Sequence, residues 1–341
     1  MRLAALLVLS SLVLSACSSL GGPTPTEVEI VFDPAQIQTQ EAASPQPTPT
    51  LRPTSTPTPV PTAPPTPTNT LDPYNTLIFE GIQLREQEQH DAALAKFSAA
   101  IQMDPGNPKG YIERGIQYSI MDRQDDAITD FNFAINFDPN SPEAYNARGI
   151  AWALKNQFAQ AIKDYTKAIE LDPEFPKPYT NRGYAYLQQK QIDEALADFT
   201  KFVELRPDDP EAYFNRGQAY LTAMQLLQNT EYVDLCIADF NQVIAMDSQN
   251  ADSYFNRAAC KLLKEDYTGA YEDLTLAIQN NPNDAKYYML RASLYPIAGS
   301  FEEALNDLNK ALEVTQDDEI RKEVEKAIKD LPAIPTPTPT Q

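Results

Sequence analysis

From residue 74 to residue 331 the apolar positions recur three and four apart, the spacing of one helical face, and the pattern itself repeats. A small residue stands at Gly81, Gly115, Gly149, Gly183, Gly217, Ala258 and Ala292. Each step is 34 residues except the fifth, which is 41. A second small residue follows at Ala93, Ala127, Ala161, Ala195, Cys236, Ala270 and Ala304. Four residues later comes a bulky apolar one: Phe97, Phe131, Tyr165, Phe199, Phe240, Leu274 and Leu308. Residues 142–175 show what one unit predicts. Ser141 is a natural N-cap and Pro142 suits the first helical position, where no N–H is needed. Ala144, Tyr145, Gly149, Trp152 and Ala153 then share a face, and Lys155-Asn156-Gln157 makes a turn. A second helix follows with Ala161, Ile162, Tyr165, Ala168 and Ile169 on one side, stopping near Asp172-Pro173 because the residue before proline avoids the helical region. The small residues mark close helix approach. Such hairpins cannot bury their apolar faces alone, so the array predicts a stacked solenoid.

These positions together resemble the tetratricopeptide repeat: Gly or Ala, an aromatic, Ala, an aromatic, Ala, then Pro. Seven copies begin at Tyr74, Pro108, Pro142, Pro176, Pro210, Ala251 and Ala285 and cover residues 74–318. The resemblance implies an all-α, right-handed superhelical solenoid of seven helix-turn-helix repeats. Residues 319–331, with Ile320, Val324, Ala327, Ile328 and Leu331 in one stripe, read as the C-terminal capping helix. Several positions depart from the pattern. Ser248 and Gln316 replace the closing Pro, Lys261 replaces an aromatic, and Pro296 should kink the first helix of repeat seven. Repeat five carries seven extra residues around Leu226–Leu235. One extra turn on each helix would preserve register. Either a tolerated loop or a projecting partner contact fits that insertion.

Beyond the repeats, composition changes. Met1-Arg2 precedes an apolar run, Leu3–Leu14, too short to span a bilayer as a helix. It ends in Leu14-Ser15-Ala16-Cys17, which resembles the lipobox of bacterial lipoproteins. The resemblance implies a signal peptide over residues 1–16, lipid on Cys17, and an extracytoplasmic protein anchored to a bacterial membrane. The plainer alternative is an ordinary signal peptide with a chance cysteine. Residues 17–73 hold Pro-Thr steps such as Pro57-Thr58-Pro59 and read as an extended, solvated tether. Val28–Phe32 is the one apolar cluster there, either a docking strand or a sticky spot. Residues 332–341 form a second Pro/Thr-rich tail.

Charge and chemistry then narrow the function. The chain has net charge −21. Setting aside the five acids and two bases of residues 1–73 leaves 43 acids and 25 bases, net −18, which disfavours nucleic acid. No His-rich or Cys-rich metal spacing, phosphate-cradling loop or catalytic constellation is present, so neither enzyme activity, a cofactor, a metal nor a small-molecule substrate is expected. The single histidine, His90, falls in the turn of repeat one, where exposure is expected. Cys236 and Cys260 occupy small-residue positions in successive hairpins, either as two buried thiols or as a disulfide.

Two columns of polar residues remain. Arg114, Arg148, Arg182, Arg216, Arg257 and Arg291 precede the small residue, and Asp130, Asp164, Asp198, Asp239, Asp273 and Asp307 precede the bulky one. Chemistry does not recur in six repeats, so these predict structural ion pairs. Glu80 and Lys96 carry the opposite signs in repeat one. The second column is Asn181, Asn215 and Asn256. By the resemblance, this position looks onto the concave groove, where asparagine could hold a peptide backbone. The alternative is a common variant of the repeat with no such role. Asn146, Thr180, Tyr184, Phe214, Gln218 and Phe255, with Ile116 and Ile150, are expected to flank the same groove. Ile78 and Ile82 stand where the basic clamp of some family members would begin, which argues against a receptor for acidic tails. The reading is a lipid-anchored scaffold binding a protein or peptide segment. The alternatives are a structural part of an envelope or pilus assembly, or an adaptor for an envelope hydrolase or protease.

Overall fold

Local sequence chemistry sets each helix boundary. The computed structural model describes residues 72–331; the expectations for the leader, Cys17, the tether and the tail lie outside them. Seven hairpins follow one another. They are α1 (Pro73–Glu86) with α2 (His90–Met103), α3 (Pro108–Ile120) with α4 (Gln124–Phe137), and α5 (Pro142–Leu154) with α6 (Phe158–Leu171). Next come α7 (Pro176–Gln188) with α8 (Ile192–Leu205), α9 (Pro210–Leu227) with α10 (Val233–Met246), and α11 (Ala251–Leu263) with α12 (Tyr267–Asn280). The last hairpin has a split first arm, α13 (Ala285–Ala292) and α14 (Tyr295–Ala298), packed on α15 (Phe301–Val314). α16 (Asp318–Asp330) closes the array. Asp72, Asn107, Ser141, Asp209, Asn250 and Asp284 each cap a first helix by accepting a backbone N–H, four of them from the second helical residue and Ser141 and Asn250 from the third. Second helices stop at Asp104, Asp138 and Asp172, each extended ahead of a proline. Each of these carboxylates accepts the N–H two residues on, holding the turn into the next hairpin.

Inside a hairpin a glycine lies against a ring. A Cβ on Gly149 would sit 2.6 Å from the Tyr165 ring, and one on Gly115 2.7 Å from Phe131. In hairpins six and seven the small residue is Ala258 or Ala292 and the partner is Leu274 or Leu308, all buried. A leucine leaves room for the methyl that a ring excludes. Between hairpins, first helices touch the next first helix, while second helices make no comparable contact. The first helices therefore line the inner, concave side.

Repeat five departs from expectation. α9 has 18 residues against 13 in α3, α5 and α7, whereas α10 keeps the usual 14. The insertion lengthens one helix only, and Gln228–Tyr232 completes the connection. Growth along a helix axis leaves the packed faces of both helices in register, so the second helix needs no compensating turn. Leu226, Leu227 and Leu235 are exposed there. Pro296 breaks the first arm of hairpin seven outright, because it opens α14 after a two-residue interruption at Ser293-Leu294. Cys236 and Cys260 form a disulfide with Cα atoms 6.3 Å apart, joining α10 to α11. The cap buries Val324 completely, with Ile320, Ala327, Ile328 and Leu331 around it. Among the described residues no helix is long and apolar enough to cross a membrane.

Candidate peptide-binding groove

The arginine–aspartate column is a frame. Arg148 donates from Nε and Nη2 to the two carboxylate oxygens of Asp164, both at 2.7 Å. The same fork joins Arg114 to Asp130, Arg182 to Asp198, Arg216 to Asp239, Arg257 to Asp273 and Arg291 to Asp307. In repeat one Lys96 meets Glu80 at 2.6 Å with the signs exchanged. The hydrogen bond to Asp164 raises the pKa of Arg148 despite its burial. Two further contacts escaped the sequence reading. The free Nη1 reaches back to the second helix of the preceding hairpin: Arg114 to Ser98, Arg148 to Asn132, Arg182 to Thr166, Arg257 to Asn241 and Arg291 to Thr275. Each guanidinium in hairpins two to six also lies near a tyrosine three residues earlier, such as Tyr145 at 5.5 Å from Arg148. A column of Ser, Asn and Thr at that register, and a column of Tyr, were the available signals. Each arginine thus ties its own hairpin together, and these five staple it to the one before.

Helical spacing places the inner face on four rows: Lys109–Ile112–Ile116–Ile120, Glu143–Asn146–Ile150–Leu154, Lys177–Thr180–Tyr184–Gln188 and Glu211–Phe214–Gln218–Thr222. The expected groove residues divide. Asn181, Tyr184, Phe214 and Gln218 are half-buried and reachable. Ile116, Asn146, Ile150, Thr180, Asn215, Phe255 and Asn256 are buried. The asparagine column is therefore not an open ladder, which corrects that expectation for Asn215 and Asn256. Asn256 is 1% exposed. Asn215 accepts the Tyr184 hydroxyl at 2.8 Å, and Asn181 donates to Asn146 at 3.0 Å. The physical reason lies in the register. This position is where a first helix leans on the preceding hairpin, and its counterparts Glu113 and Ala147 are buried there too. Burial, and then the charge of Glu211, push the Tyr184 hydroxyl pKa up, so it stays a neutral donor. Tyr184 and Phe214 stand edge-on to the core rings Phe199 and Phe240, at 5.1 and 5.7 Å between centroids. Their orientation is fixed before any partner arrives.

His90 also departs from expectation. It is half-buried and its Nδ1 lies 3.0 Å from Nε2 of the fully buried Gln117. Beside them Arg85 donates to Glu113 at 2.8 Å, joining repeats one and two. No group of His, Cys, Asp and Glu that could hold a metal occurs among the described residues.

Known proteins share this architecture. A family model described as TPR repeat matches residues 153–190 and 183–223, and one described as tetratricopeptide repeat matches 285–318. The chain therefore carries tetratricopeptide repeats. A tetratricopeptide repeat protein from Parabacteroides merdae superposes with TM-score 0.55 at 20% identity, over 75% of this chain and 99% of that one. The C-terminal part of a TPR repeat-containing protein from Cytophaga hutchinsonii gives 0.54 at 19% identity, over 72% and 98%. Pseudomonas aeruginosa pilF gives 0.52 at 18%, over 64% and 97%. These likenesses establish the fold. A 53-residue stretch is 38% identical to the Bos taurus protein SGT1 homolog, covering 16% of each protein, so the chain spans about a sixth of that relative. Proteins built of tetratricopeptide repeats bind protein or peptide partners and are generally non-catalytic scaffolds.

Proposed function

We propose that this tetratricopeptide repeat chain is a lipid-anchored, extracytoplasmic scaffold that holds a protein or peptide segment in its concave groove. The observation that carries the binding role is the reachable strip of Asn181, Tyr184, Phe214 and Gln218 on the inner face of hairpins four and five. Two oriented aromatics beside two amides suit a segment with apolar anchors and free backbone groups. The net acidic surface favours neutral or cationic partners. Anchoring rests on Leu14-Ser15-Ala16-Cys17, and the Cys236–Cys260 bridge supports an oxidising compartment.

Affinity purification from detergent-solubilised membranes, with wild type and Phe214→Ala side by side, tests the groove. A partner that uses it should bind the variant at least about tenfold more weakly, as for loss of an aromatic anchor. Equal recovery by a folded Phe214→Ala chain would move the contact off the groove. Fatty-acid labelling tests the anchor separately: label should enter wild type and be lost in Cys17→Ser.

A further inference from the structure

The outer face of the array changes at hairpin two. Second helices look outward, and in hairpins three, four and seven they carry a surface ion pair at one register: Lys167 with Glu170, Lys201 with Glu204 and Lys310 with Glu313. Hairpin two has Phe133 and Asn136 at those two positions, and no other hairpin places a ring there. α4 then ends in Phe137, and α2 ends in Met103 at the same register. Phe133, Phe137 and Met103 are 48%, 44% and 53% exposed. Three hairpins show that the fold accepts a lysine at the place of Phe133, so packing within the chain does not demand the ring.

The two rings are held in place. Both lie against the buried Tyr111, at 5.5 and 5.6 Å between centroids, and the Tyr111 hydroxyl donates to the Pro105 carbonyl at 3.1 Å. Their outer sides are oriented ahead of any contact and lose little freedom on meeting one.

We propose that this face pairs with the same face of a second copy of the chain, α4 against α4 about a two-fold axis. Three observations point to that occupant. The first is charge. The chain carries a net charge of −21, so two copies repel unless the faces that meet are uncharged. Beyond Asp130, which is buried in its fork with Arg114, α4 has no ionisable residue, and α2 has none beyond Lys96. Further back on the same row of α4, Asp126 is paired with Arg123 at 2.7 Å. The second is symmetry. Phe133 and Phe137 are one turn apart, about 6 Å along the helix. A two-fold axis between them sets Phe133 of each copy on Phe137 of the other, so one pair of rings supplies both halves of the contact. Asn136 lies beside them with both a donor and an acceptor, and it can meet its own counterpart in the same way. The third is size. At their exposures the two rings offer roughly 200 Å² per copy, about a quarter of what one partner buries in a stable interface. Met103 and an uncharged rim supply the rest, which sets the contact at the weak, reversible end, with a dissociation constant on the order of 10 μM.

The paired faces are convex, so both grooves stay open. Two grooves on one dimer would hold a partner carrying two copies of its segment more tightly than either groove alone.

Sedimentation equilibrium of the full chain, in density-matched detergent, tests the pairing over about 1 to 200 μM, a range that brackets this affinity. Wild type should pass from monomer to dimer within it. Phe133→Lys with Asn136→Glu recreates the ion pair of hairpins three, four and seven, so its folding has precedent in the same chain; circular dichroism checks it. This variant should dimerise at least about thirtyfold more weakly. p-Benzoylphenylalanine in place of Phe133 locates the contact. In an equal mixture of light and isotopically heavy chains, irradiation should give mixed products joining position 133 to α4 of the other copy. The proposal is overturned by a wild type that stays monomeric throughout, which would leave the rings to a different protein. A folded variant that dimerises as tightly as wild type overturns it too, as do cross-links confined to other hairpins or to one chain. Neither Cys17→Ser nor Phe214→Ala should alter the association, so failure of the anchoring or the groove reading would leave this result intact.

Discussion

Hairpins two to four and hairpins five to seven obey different local rules while stacking into one array. The first group keeps a 34-residue step, a 13-residue first helix and a glycine against a ring. The second group contains an 18-residue first helix, a disulfide, an alanine–leucine contact in two hairpins and a first arm split at Pro296. The forked Arg–Asp contact survives in every one of them. The difference teaches which constraints hold the array together. Length is free to change where it grows along a helix axis and out of the edge. Side-chain volume is free to move between partners, provided that a small residue faces a large one. The forked guanidinium is not exchanged: it closes its own hairpin in all six, and in five of them the same side chain also reaches the hairpin before.

Removing the carboxylate should therefore have the largest effect in both groups. Asp164→Ala leaves the half-buried Arg148 without its carboxylate partner and should cost about 3 kcal/mol, the low end for breaking a buried pair. Asp273→Ala should cost more, since Asp273 receives both Arg257 at 2.6 Å and Lys261 at 2.8 Å. Lys261 stands where other repeats place an aromatic, and its pairing explains how a charge is tolerated there. Urea unfolding measures the loss. Equal small losses at both sites would show that the fork is ornament and that packing alone sets the register.

The disulfide comes next. Cys236 and Cys260 are 24 residues apart, and the loop-closure relation gives about 3 kcal/mol for a ring of that size. Their register counterparts are alanines, such as Ala195 and Ala219, both fully buried. Cys236→Ala with Cys260→Ala should thus remove the bridge without opening a large cavity. Wild type in reductant should lose the same amount as the double variant. A variant as stable as wild type under oxidising conditions would mean that the two sulfurs are unlinked in solution.

Most of the fold was legible because its determinants recur. The small and bulky columns run through all seven repeats, and Pro closes five of them, so an aberrant residue such as Ser248 does not hide the pattern. The capping helix was legible from its single apolar stripe. The groove was less so. Periodicity assigns a residue to a helix face, but Asn215 and Asn256 lie at the border between the inner face and the contact with the preceding hairpin. Which side of that border is covered depends on how far successive first helices lean together, and no local pattern encodes that angle. His90 was misplaced for a similar reason. Its partner Gln117 is 27 residues away, at a position where the next three repeats have alanine.

The third prediction addresses the small–large contact on both sides of the comparison. Gly149→Ala drives a methyl into the Tyr165 ring and should cost about 1–3 kcal/mol. Ala258→Gly, opposite Leu274, removes a methyl without any clash and should cost about 1 kcal/mol through helix propensity. Adding Tyr165→Leu to Gly149→Ala should recover part of the first loss, because it recreates the pairing of hairpin six. Thermal unfolding of the three variants decides it. No recovery in the double variant would mean that glycine serves the backbone at this position and not the ring.

The smallest expected effect concerns a feature that both groups share. Every hairpin turn places one residue in the left-handed region: Glu88, Asp122, Asn156, Lys190, Gln228, Glu265 and Gly299, with φ between 49° and 76°. Six of these are not glycine, and a side chain there crowds its own backbone at a cost of about 1 kcal/mol or somewhat more. Only hairpin seven, the most disrupted of the seven, uses the residue that adopts this conformation freely. A Cβ on Gly299 would meet nothing within 4 Å, so its conformational preference is the whole of its advantage. Lys190→Gly should therefore stabilise the chain by about 0.5 kcal/mol, the relief of strain less the added freedom of the unfolded chain. Asn156→Gly should gain less, because asparagine already tolerates the left-handed region. Gly299→Ala should lose about 1 kcal/mol, placing a strained turn beside an already broken helix. The ranking Lys190→Gly above Asn156→Gly, with Gly299→Ala of opposite sign, is readable from thermal midpoints. If Lys190→Gly destabilises instead, the lysine stem must be covering the mouth of its turn, and the regular hairpins would owe part of their stability to a contact that glycine cannot make.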